Sequence, residues 1–243
     1  MLKEKVIIVT GAASGIGAEI ARQCIAENAQ VIACDRDVAK LEHLRNFTSP
    51  ESIDAYPLDV TNYEEVARFF HTVKEKYPGV NGLVNNAGIY LGKSLLDYHV
   101  DEIDQVIHVN VRGFLYFSKF FGELLVRQER AGVIVNLSSV SGIEGSSDAV
   151  YGMSKAAVLG LTKSCAMSFS PYIRVNAIAP TLVETAMMDQ VPDWRKKEYR
   201  EHELIKSPVL PVDVANTAVF LLSEKARNYT GATFDLNNGC YLR

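Results

Sequence analysis

The sequence predicts one α/β domain, a doubly wound parallel sheet of about seven strands flanked by helices. Short runs rich in β-branched residues alternate with longer segments whose apolar residues recur every three or four positions, which is the pattern of βαβ units. A length of 243 residues suits a single domain, residues 1–243, better than two. The composition, with 48% hydrophobic and 22% charged residues, is ordinary for a globular chain.

The predicted elements follow one another along the chain. The strand segments are, in order, KVIIVT, QVIACD, SIDAYPLD, VNGLVNN, GVIVNLSS, YIRVNAIAP and GATFDL. The segments GIGAEIARQCIAEN, YEEVARFFHTVKEKY and SKAAVLGLTKSCAMSF have the apolar spacing of helices that cover a sheet. Residues 181–211 have no clear pattern, and because they follow a strand end we expect a substrate lid there. A surface excursion with short helices of its own is the alternative.

Composition and charge argue against several classes of function. A net charge of -4 gives no basic surface for nucleic acid, and the apolar runs FLYF and VIVN are too short to cross a membrane. The first residues lack the long apolar region of a secretory signal. The four cysteines show no CxxC or Cys/His spacing, so we expect no metal site and a reducing, cytoplasmic location.

A glycine-rich turn joins the first predicted strand to the first predicted helix. Its spacing is GxxxGxG, and such glycines let the backbone approach a pyrophosphate, whose charge the helix N-terminus attracts. A plain strand-to-helix turn is the alternative. The predicted dinucleotide contacts in this turn are Gly11, Ser14, Gly15, Ile16 and Gly17.

The end of the second predicted strand indicates which dinucleotide binds. Asp35 lies eighteen residues after Gly17, where a carboxylate accepts hydrogen bonds from the ribose hydroxyls of an adenine dinucleotide. It would repel a 2′-phosphate, and the turn holds alanine at positions 12 and 13 rather than a basic residue. The sequence therefore favours NAD, although the Arg36 guanidinium leaves open a grip on a phosphate.

A tyrosine and a lysine lie four residues apart in YGMSK. On a helix, Tyr151 and Lys155 share one face, so the lysine charge can favour the phenolate of a residue whose ordinary pKa is about 10. Tyr151 would then take a proton from an alcohol as hydride leaves, while an upstream serine holds the substrate oxygen. An exposed pair on a helix face is the alternative.

Seven short motifs occur in an order and spacing typical of one family. They are TGAASGIG, LDVT, NNAG, VNV, SSVSG, YGMSK and APTLVET, and they extend over essentially the whole chain. On these motifs the sequence resembles the short-chain dehydrogenase/reductase family. The resemblance implies a Rossmann-like fold, a small-molecule alcohol or ketone substrate, and assembly as a homotetramer or homodimer.

The resemblance also implies site residues. It implies the catalytic set Asn110, Ser139, Tyr151 and Lys155. In this set Asn110 would shape a water-linked proton path to Lys155, and a kink in its helix is a compatible alternative. Besides the glycine turn, Asp35 and Arg36, the implied cofactor contacts are Asp59, Val60, Asn86, Ala87, Gly88, Tyr151, Lys155, Pro180, Val183 and Thr185.

Three points depart from the family pattern. Ser139 lies three residues before Gly142, as the family's catalytic serine does, but the family's frequent separation from the tyrosine is that of Ser138. We choose Ser139, and because neighbouring strand residues face opposite ways only one of the two addresses the site easily. Thr181 stands where the family has glycine, and Asn237-Asn238-Gly239 replaces a frequent Asp-Gly-Gly.

The sequence does not identify the substrate. The expected pocket walls are Tyr90, Leu91, Ser141, Ile143, Met187, Met188 and Trp194, a mixture suited to a modest secondary alcohol or ketone. The charge run that contains Arg195, Lys196, Lys197 and Arg200 is more typical of a solvated face than of a site for an anionic substrate.

Together these observations predict an NAD-dependent oxidoreductase that interconverts a secondary alcohol and a ketone by hydride transfer, with Tyr151 as general acid/base. Two alternatives stay open: an NADPH-dependent 3-oxoacyl thioester reductase, and a non-catalytic protein that senses dinucleotide.

Overall fold

The computed structural model describes residues 1–46 and 52–243, and in this part of the chain seven parallel strands form one sheet. The sheet order is β3-β2-β1-β4-β5-β6-β7. The strands are β1 (Val6–Thr10), β2 (Gln30–Asp35), β3 (Ile53–Pro57), β4 (Val80–Asn85), β5 (Gly132–Leu137), β6 (Ile173–Pro180) and β7 (Thr233–Leu236). All neighbouring strands pair in parallel, so the predicted doubly wound α/β fold and its seven strand segments are confirmed.

Helices cover both faces of this sheet. They are α1 (Gly15–Ala26), α2 (Val38–Asn46), α3 (Tyr63–Lys76), α4 (Val100–Ile107), α5 (Gly113–Val126), α6 (Ser141–Glu144), α7 (Ala149–Ser168), α8 (Asp193–His202) and α9 (Pro211–Leu222). Buried side chains of α1, α2 and α9 form one core with the sheet. Those of α3, α5 and α7 form the other, in which Phe117 and Phe121 are fully buried. Burial on both faces explains why the strands are almost continuously apolar.

The reversal of strand order beside β1 creates the place where a ligand can bind. β1 pairs with β2 on one side and with β4 on the other. The loop after β1 and the loop after β4 therefore lead to opposite faces of the sheet, and the carboxyl edge of the sheet is left open between these two loops. Thr10 and Asn85, at the ends of these strands, are the buried residues from which the two loops leave.

A wide turn separates α4 from α5. Residues His108–Arg112 form a π-helical turn, and the helix continues on both sides of it without a break. The kink expected near Asn110 is therefore a local widening, with Asn110 fully buried at its centre. Single π-helical turns of this kind are frequent at functional sites.

The segment 181–211, predicted as a lid without regular structure, contains helical pieces. A 3-10 helix covers Ala186–Gln190 and α8 covers Asp193–His202. An isolated bridge between Val183 and Val209 ties the two ends of the segment together. The segment thus has short helices of its own, as the alternative interpretation expected, and whether it closes over a substrate stays a prediction. Among the described helices, none combines the length and the apolar character that crossing a membrane requires.

Candidate active site

A cleft of about 440 Å³ lies at the carboxyl edge of the sheet. It runs from Asp35 at the end of β2 to Tyr199 on α8. Of the predicted catalytic and cofactor-binding residues, all except Gly17 and Asn110 line it. Of the expected substrate walls, Tyr90, Ser141, Met187 and Met188 line the cleft. Leu91, Ile143 and Trp194 do not, and Trp194 is 59% exposed.

The glycine turn is shaped for close backbone approach. Gly11 and Gly15 have φ values of 65° and 54°, which favour glycine. A Cβ atom at Gly17 would lie 2.1 Å from the Gly11 carbonyl oxygen, so the turn and the first turn of α1 are in direct contact. Ser14 stands at the N-cap of α1 but its side chain makes no capping hydrogen bond. The positive end of α1 is therefore not neutralised by its own cap residue, as the binding of a pyrophosphate requires.

Asp35 is held rigidly at the other end of this turn. Its two carboxylate oxygens accept hydrogen bonds from the backbone N–H groups of Ala13 and Asp37, each at 3.0 Å. Arg36 also lines the cleft, and Lys40 beside it pairs with Asp37 at 2.9 Å. A fixed carboxylate thus occupies the position expected to meet the adenosine ribose, and the residues present fit an adenine dinucleotide.

Asn86 fastens the glycine turn to the end of β4. Its side-chain amide donates to the carbonyl oxygens of Thr10 and Gly11, both at 3.1 Å. Thr185, from the segment after β6, approaches the turn from the other side, where its methyl group would lie 3.3 Å from a Cβ atom at Gly15. The contacts predicted on both sides of the cleft therefore come together at this turn.

The two neighbouring serines before α7, Ser138 and Ser139, have different partners. Ser139 faces Tyr151 and lowers the pKa of its phenol, and the Ser139 hydroxyl accepts from the backbone N–H of Ser141 at 3.1 Å. Ser138 instead donates to the Lys155 carbonyl oxygen at 2.8 Å, in the interior. The two serines, which directly follow β5, thus face different ways, and Ser139 rather than Ser138 faces the tyrosine.

The pKa values of the Tyr151–Lys155 pair differ from the expectation. Desolvation raises the pKa of Tyr151 to about 12, and Ser139 only partly opposes this rise. Desolvation also lowers the pKa of Lys155 to about 8. The lysine Nζ donates to the Leu137 carbonyl oxygen at 2.9 Å and lies 5.7 Å from the centre of the tyrosine ring. At that separation its charge does not outweigh the loss of water around the phenol.

Asn110 lies behind this group and does not line the cleft. Its side chain accepts from the Ile89 backbone N–H at 2.8 Å and donates to the Ile89 carbonyl oxygen and the Ser154 hydroxyl, both at 3.0 Å. A Cβ atom at Gly88 would lie 3.4 Å from Asn110 Oδ1 and 3.5 Å from Lys155 Nζ. Asn110 Oδ1 and Lys155 Nζ therefore both lie next to Gly88, where the π-helical turn places Asn110.

Asp148 is a residue of this site that the sequence analysis missed. It is 1% exposed and caps α7 by accepting from the Tyr151 backbone N–H at 2.9 Å. It also accepts from the Gly92 N–H at 3.1 Å and from the Tyr98 hydroxyl at 2.9 and 2.8 Å. A signal existed, because aspartate is among the residues preferred at the N-cap and Asp148 directly precedes the helix that carries Tyr151. Asp148 thereby joins the start of the helix that carries Tyr151 to the loop after β4.

Comparisons with known sequences agree with this geometry. The family model described as Enoyl-(Acyl carrier protein) reductase matches residues 11–241. The 3-oxoacyl-(acyl-carrier-protein) reductase FabG of Thermotoga maritima is 35% identical over 249 residues, which cover 99% of this chain and 99% of that protein. An uncharacterized oxidoreductase of Staphylococcus aureus strain USA300 is 33% identical over 227 residues, which cover 92% of this chain and 93% of that protein.

Solved structures from Brucella melitensis have the same fold. A short-chain dehydrogenase/reductase described as glucose/ribitol dehydrogenase superposes with a TM-score of 0.93 at 27% identity, covering 100% of this chain and 98% of that one. A 3-ketoacyl-(acyl-carrier-protein) reductase complexed with NADH superposes with a TM-score of 0.91 at 28% identity, covering 100% of both chains.

Proposed function

The chain belongs to the short-chain dehydrogenase/reductase family of oxidoreductases, and we propose that it uses NADH to reduce the keto group of a 3-oxoacyl thioester to a secondary alcohol. The observation that carries the proposal is one continuous cleft with Asp35 and the glycine turn at one end and Ser139, Tyr151 and Lys155 at the other.

The chemistry of the proposed reaction divides between the cofactor and the chain. The nicotinamide ring, when bound, supplies hydride to the carbonyl carbon or takes it back. Ser139 would hold the carbonyl oxygen by a hydrogen bond that strengthens as negative charge develops there. Tyr151 would donate its phenolic proton to that oxygen. Lys155 would provide a nearby positive charge that stabilises the phenolate left behind.

The pKa of Tyr151 is compatible with its role as the proton donor in the reduction. With a pKa raised to about 12, the phenol is protonated at neutral pH and is ready to act as an acid. Oxidation of an alcohol would need the phenolate, so it would depend more strongly on additional positive charge from Lys155 and from an oxidised nicotinamide.

Asp35 supports NADH over NADPH as the hydride donor. Its carboxylate is held by two backbone N–H groups, so it cannot swing away from a 2′-phosphate without losing both hydrogen bonds. Like charges brought together in a partly desolvated cleft repel. The Arg36 guanidinium, which also lines the cleft, would attract that phosphate, so a fluorescence titration of the wild type with NADH and with NADPH tests this preference.

The relatives support a 3-oxoacyl thioester over the broader class of secondary alcohols. Both the protein from Thermotoga maritima and one of the two from Brucella melitensis carry the name of a reductase of such thioesters, and the second was complexed with NADH. The cleft provides an apolar wall of Met187, Met188 and Tyr90 beside Tyr151, which suits the acyl chain. Assembly as a homotetramer or homodimer remains a prediction that light scattering can test.

The decisive experiment measures loss of NADH absorbance with an acetoacetyl thioester of N-acetylcysteamine, in wild-type protein and Tyr151→Phe. We expect turnover by the wild type and a loss of about 10²–10⁴-fold in the variant, since a general acid contributes that much. Ser139→Ala should lose most of its activity while Ser138→Ala loses less. A Tyr151→Phe variant as active as the wild type would contradict the mechanism. Tight NADH binding without turnover of any ketone would favour the dinucleotide sensor.

A further inference from the structure

Three polar side chains meet where the segment after β6 packs against α6. Arg195 and Tyr199 lie one turn apart on α8, and Glu144 ends α6. The Tyr199 hydroxyl donates to Glu144 Oε1 at 2.5 Å and accepts from Arg195 Nη2 at 3.1 Å. Arg195 Nη2 also lies 3.7 Å from the same Glu144 oxygen.

The charge of this cluster is not balanced. Arg195 Nη1 pairs with Glu198 at 2.7 Å, so one guanidinium faces two carboxylates. Only 15% of the Arg195 side chain is exposed, and both ends of its guanidinium are engaged. Arg195, which the sequence analysis placed on a solvated face, thus points inward. Its guanidinium already binds Glu198 and Tyr199 and lies close to Glu144.

The cluster stands beside the residues proposed to do the chemistry. Arg195 and Tyr199 line the cleft together with Ser141, whose hydroxyl lies 3.5 Å from that of Tyr199 and whose N–H donates to Ser139. Apart from Lys155, the other charged residues among the described ones lining the cleft lie on the dinucleotide side: Asp35 at the end of β2, Arg36, Asp37 and Lys40 just after it, and Asp59 after β3. Besides Lys155, Arg195 is therefore the charged residue among the described ones that lines the substrate end, and the carboxylates of Glu144 and Glu198 offset its charge without lining the cleft themselves.

We propose that Glu144 determines substrate specificity, by occupying Arg195 and Tyr199 so that the cleft accepts neutral 3-oxo compounds and rejects those with a free carboxylate. The inference rests on the proposed function, because it takes the substrate to be a ketone. It adds that the cleft distinguishes a 3-oxoacyl thioester from the corresponding free acid. A free carboxylate would have to displace Glu144 from the guanidinium or be buried beside an excess of negative charge.

The test compares a neutral and an anionic substrate that share one reacting keto group. With NADH, we measure kcat/KM for the acetoacetyl thioester of N-acetylcysteamine and for acetoacetate. Glu144→Gln keeps an oxygen to accept from Tyr199 but removes one of the two carboxylate charges that face Arg195. It should raise kcat/KM for acetoacetate by about tenfold, the effect of one nearby charge in a partly solvated site, and leave the thioester within a few-fold.

Glu201→Gln is the matched control, since it removes the same charge from an exposed position on α8 where the carboxylate pairs with Lys197. It should leave the ratio of the two kcat/KM values unchanged. A wild-type protein that reduces acetoacetate as readily as the thioester would overturn the inference, and so would a Glu144→Gln variant whose ratio equals that of the wild type.

A binding measurement separates failure of this inference from failure of the proposed function. Isothermal titration calorimetry measures this binding directly, because it needs no fluorescent group in the cleft. In the presence of NAD, butyrate should bind about tenfold more tightly to Glu144→Gln than to the wild type or to Glu201→Gln, whereas butyramide should not distinguish them. Equal butyrate affinities would reject the inference even if no ketone is ever reduced.

Discussion

Replacing Asp148 by alanine tests whether this carboxylate fixes the start of the helix that carries Tyr151. The substitution removes the N-cap of α7, the acceptor of the Gly92 N–H, and both oxygens that accept from Tyr98. Because Asp148 is 1% exposed, water does not readily replace these partners.

The expected loss can be summed from the separate contacts. An N-cap contributes about 1 kcal/mol. A hydrogen bond to a charged acceptor contributes about 1.5–3 kcal/mol, and the half-buried Tyr98 hydroxyl belongs at the lower end of that range. With about 1 kcal/mol for the Gly92 N–H, Asp148→Ala should lower the free energy of unfolding by about 3–4 kcal/mol. Tyr98→Phe alone should lower it by about 1–2 kcal/mol.

Urea denaturation followed by circular dichroism, at one protein concentration, measures these values. Asp148→Asn is the matched variant, because asparagine caps a helix as well as aspartate does but donates where Tyr98 needs an acceptor. Its loss should lie between those of Tyr98→Phe and Asp148→Ala. Adding Tyr98→Phe to Asp148→Ala should cost less than the sum of the two single changes. An Asp148→Ala protein within 1 kcal/mol of the wild type would refute this reasoning.

Three further predictions concern the cofactor end of the cleft and Lys155. Asp35→Asn should raise the affinity for NADPH relative to NADH by about tenfold or more, measured by fluorescence titration, and an unchanged ratio would remove Asp35 from cofactor choice. Gly17→Ala should abolish dinucleotide binding, since its Cβ would lie 2.1 Å from the Gly11 oxygen; Gly160→Ala, where nothing lies within 4 Å, should bind normally in the same titration. Desolvation lowers the pKa of Lys155 from 10.5 to about 8. Between pH 8 and 10.5 the unfolded chain therefore binds more protons at Lys155 than the folded chain does. The contribution of Lys155 to the free energy of unfolding of the wild type then increases as the pH rises. The stability of Lys155→Met relative to the wild type, from urea denaturation, should therefore fall over that interval, and a difference independent of pH would contradict the shift.

The sheet and the cofactor end of the cleft could be predicted from sequence because their signals are local. Each strand is a short apolar run, and a parallel order follows once helices alternate with strands. Gly11, Gly17 and Asp35 belong to one strand–turn–helix–strand unit, so their spacing along the chain already constrains their positions in space.

The substrate end could not be predicted in the same way, because its contacts join distant parts of the chain. Arg195 stands in a charge run that resembles a solvated face, and only tertiary packing places it against Glu144, more than fifty residues away. The raised pKa of Tyr151 likewise depends on how much water the folded cleft removes, and a four-residue spacing carries no information about that.

The π-helical turn at His108–Arg112 restricts the insertions and deletions that this segment can accept. Each residue of an α-helix advances its side chains by about 100° around the axis, so one deleted residue would rotate everything after the turn by about that angle. Phe117 and Phe121 would then leave the core that α3, α5 and α7 form with the sheet, or Asn110 would move away from Lys155. Because the turn is widened, one continuous helix both packs its phenylalanines in the core and holds Asn110 near Lys155. A homologous chain that lacks one residue here should therefore differ either in the packing of this core or in the position of its Asn110 equivalent. A single gap in an alignment would then mark a change in three-dimensional structure.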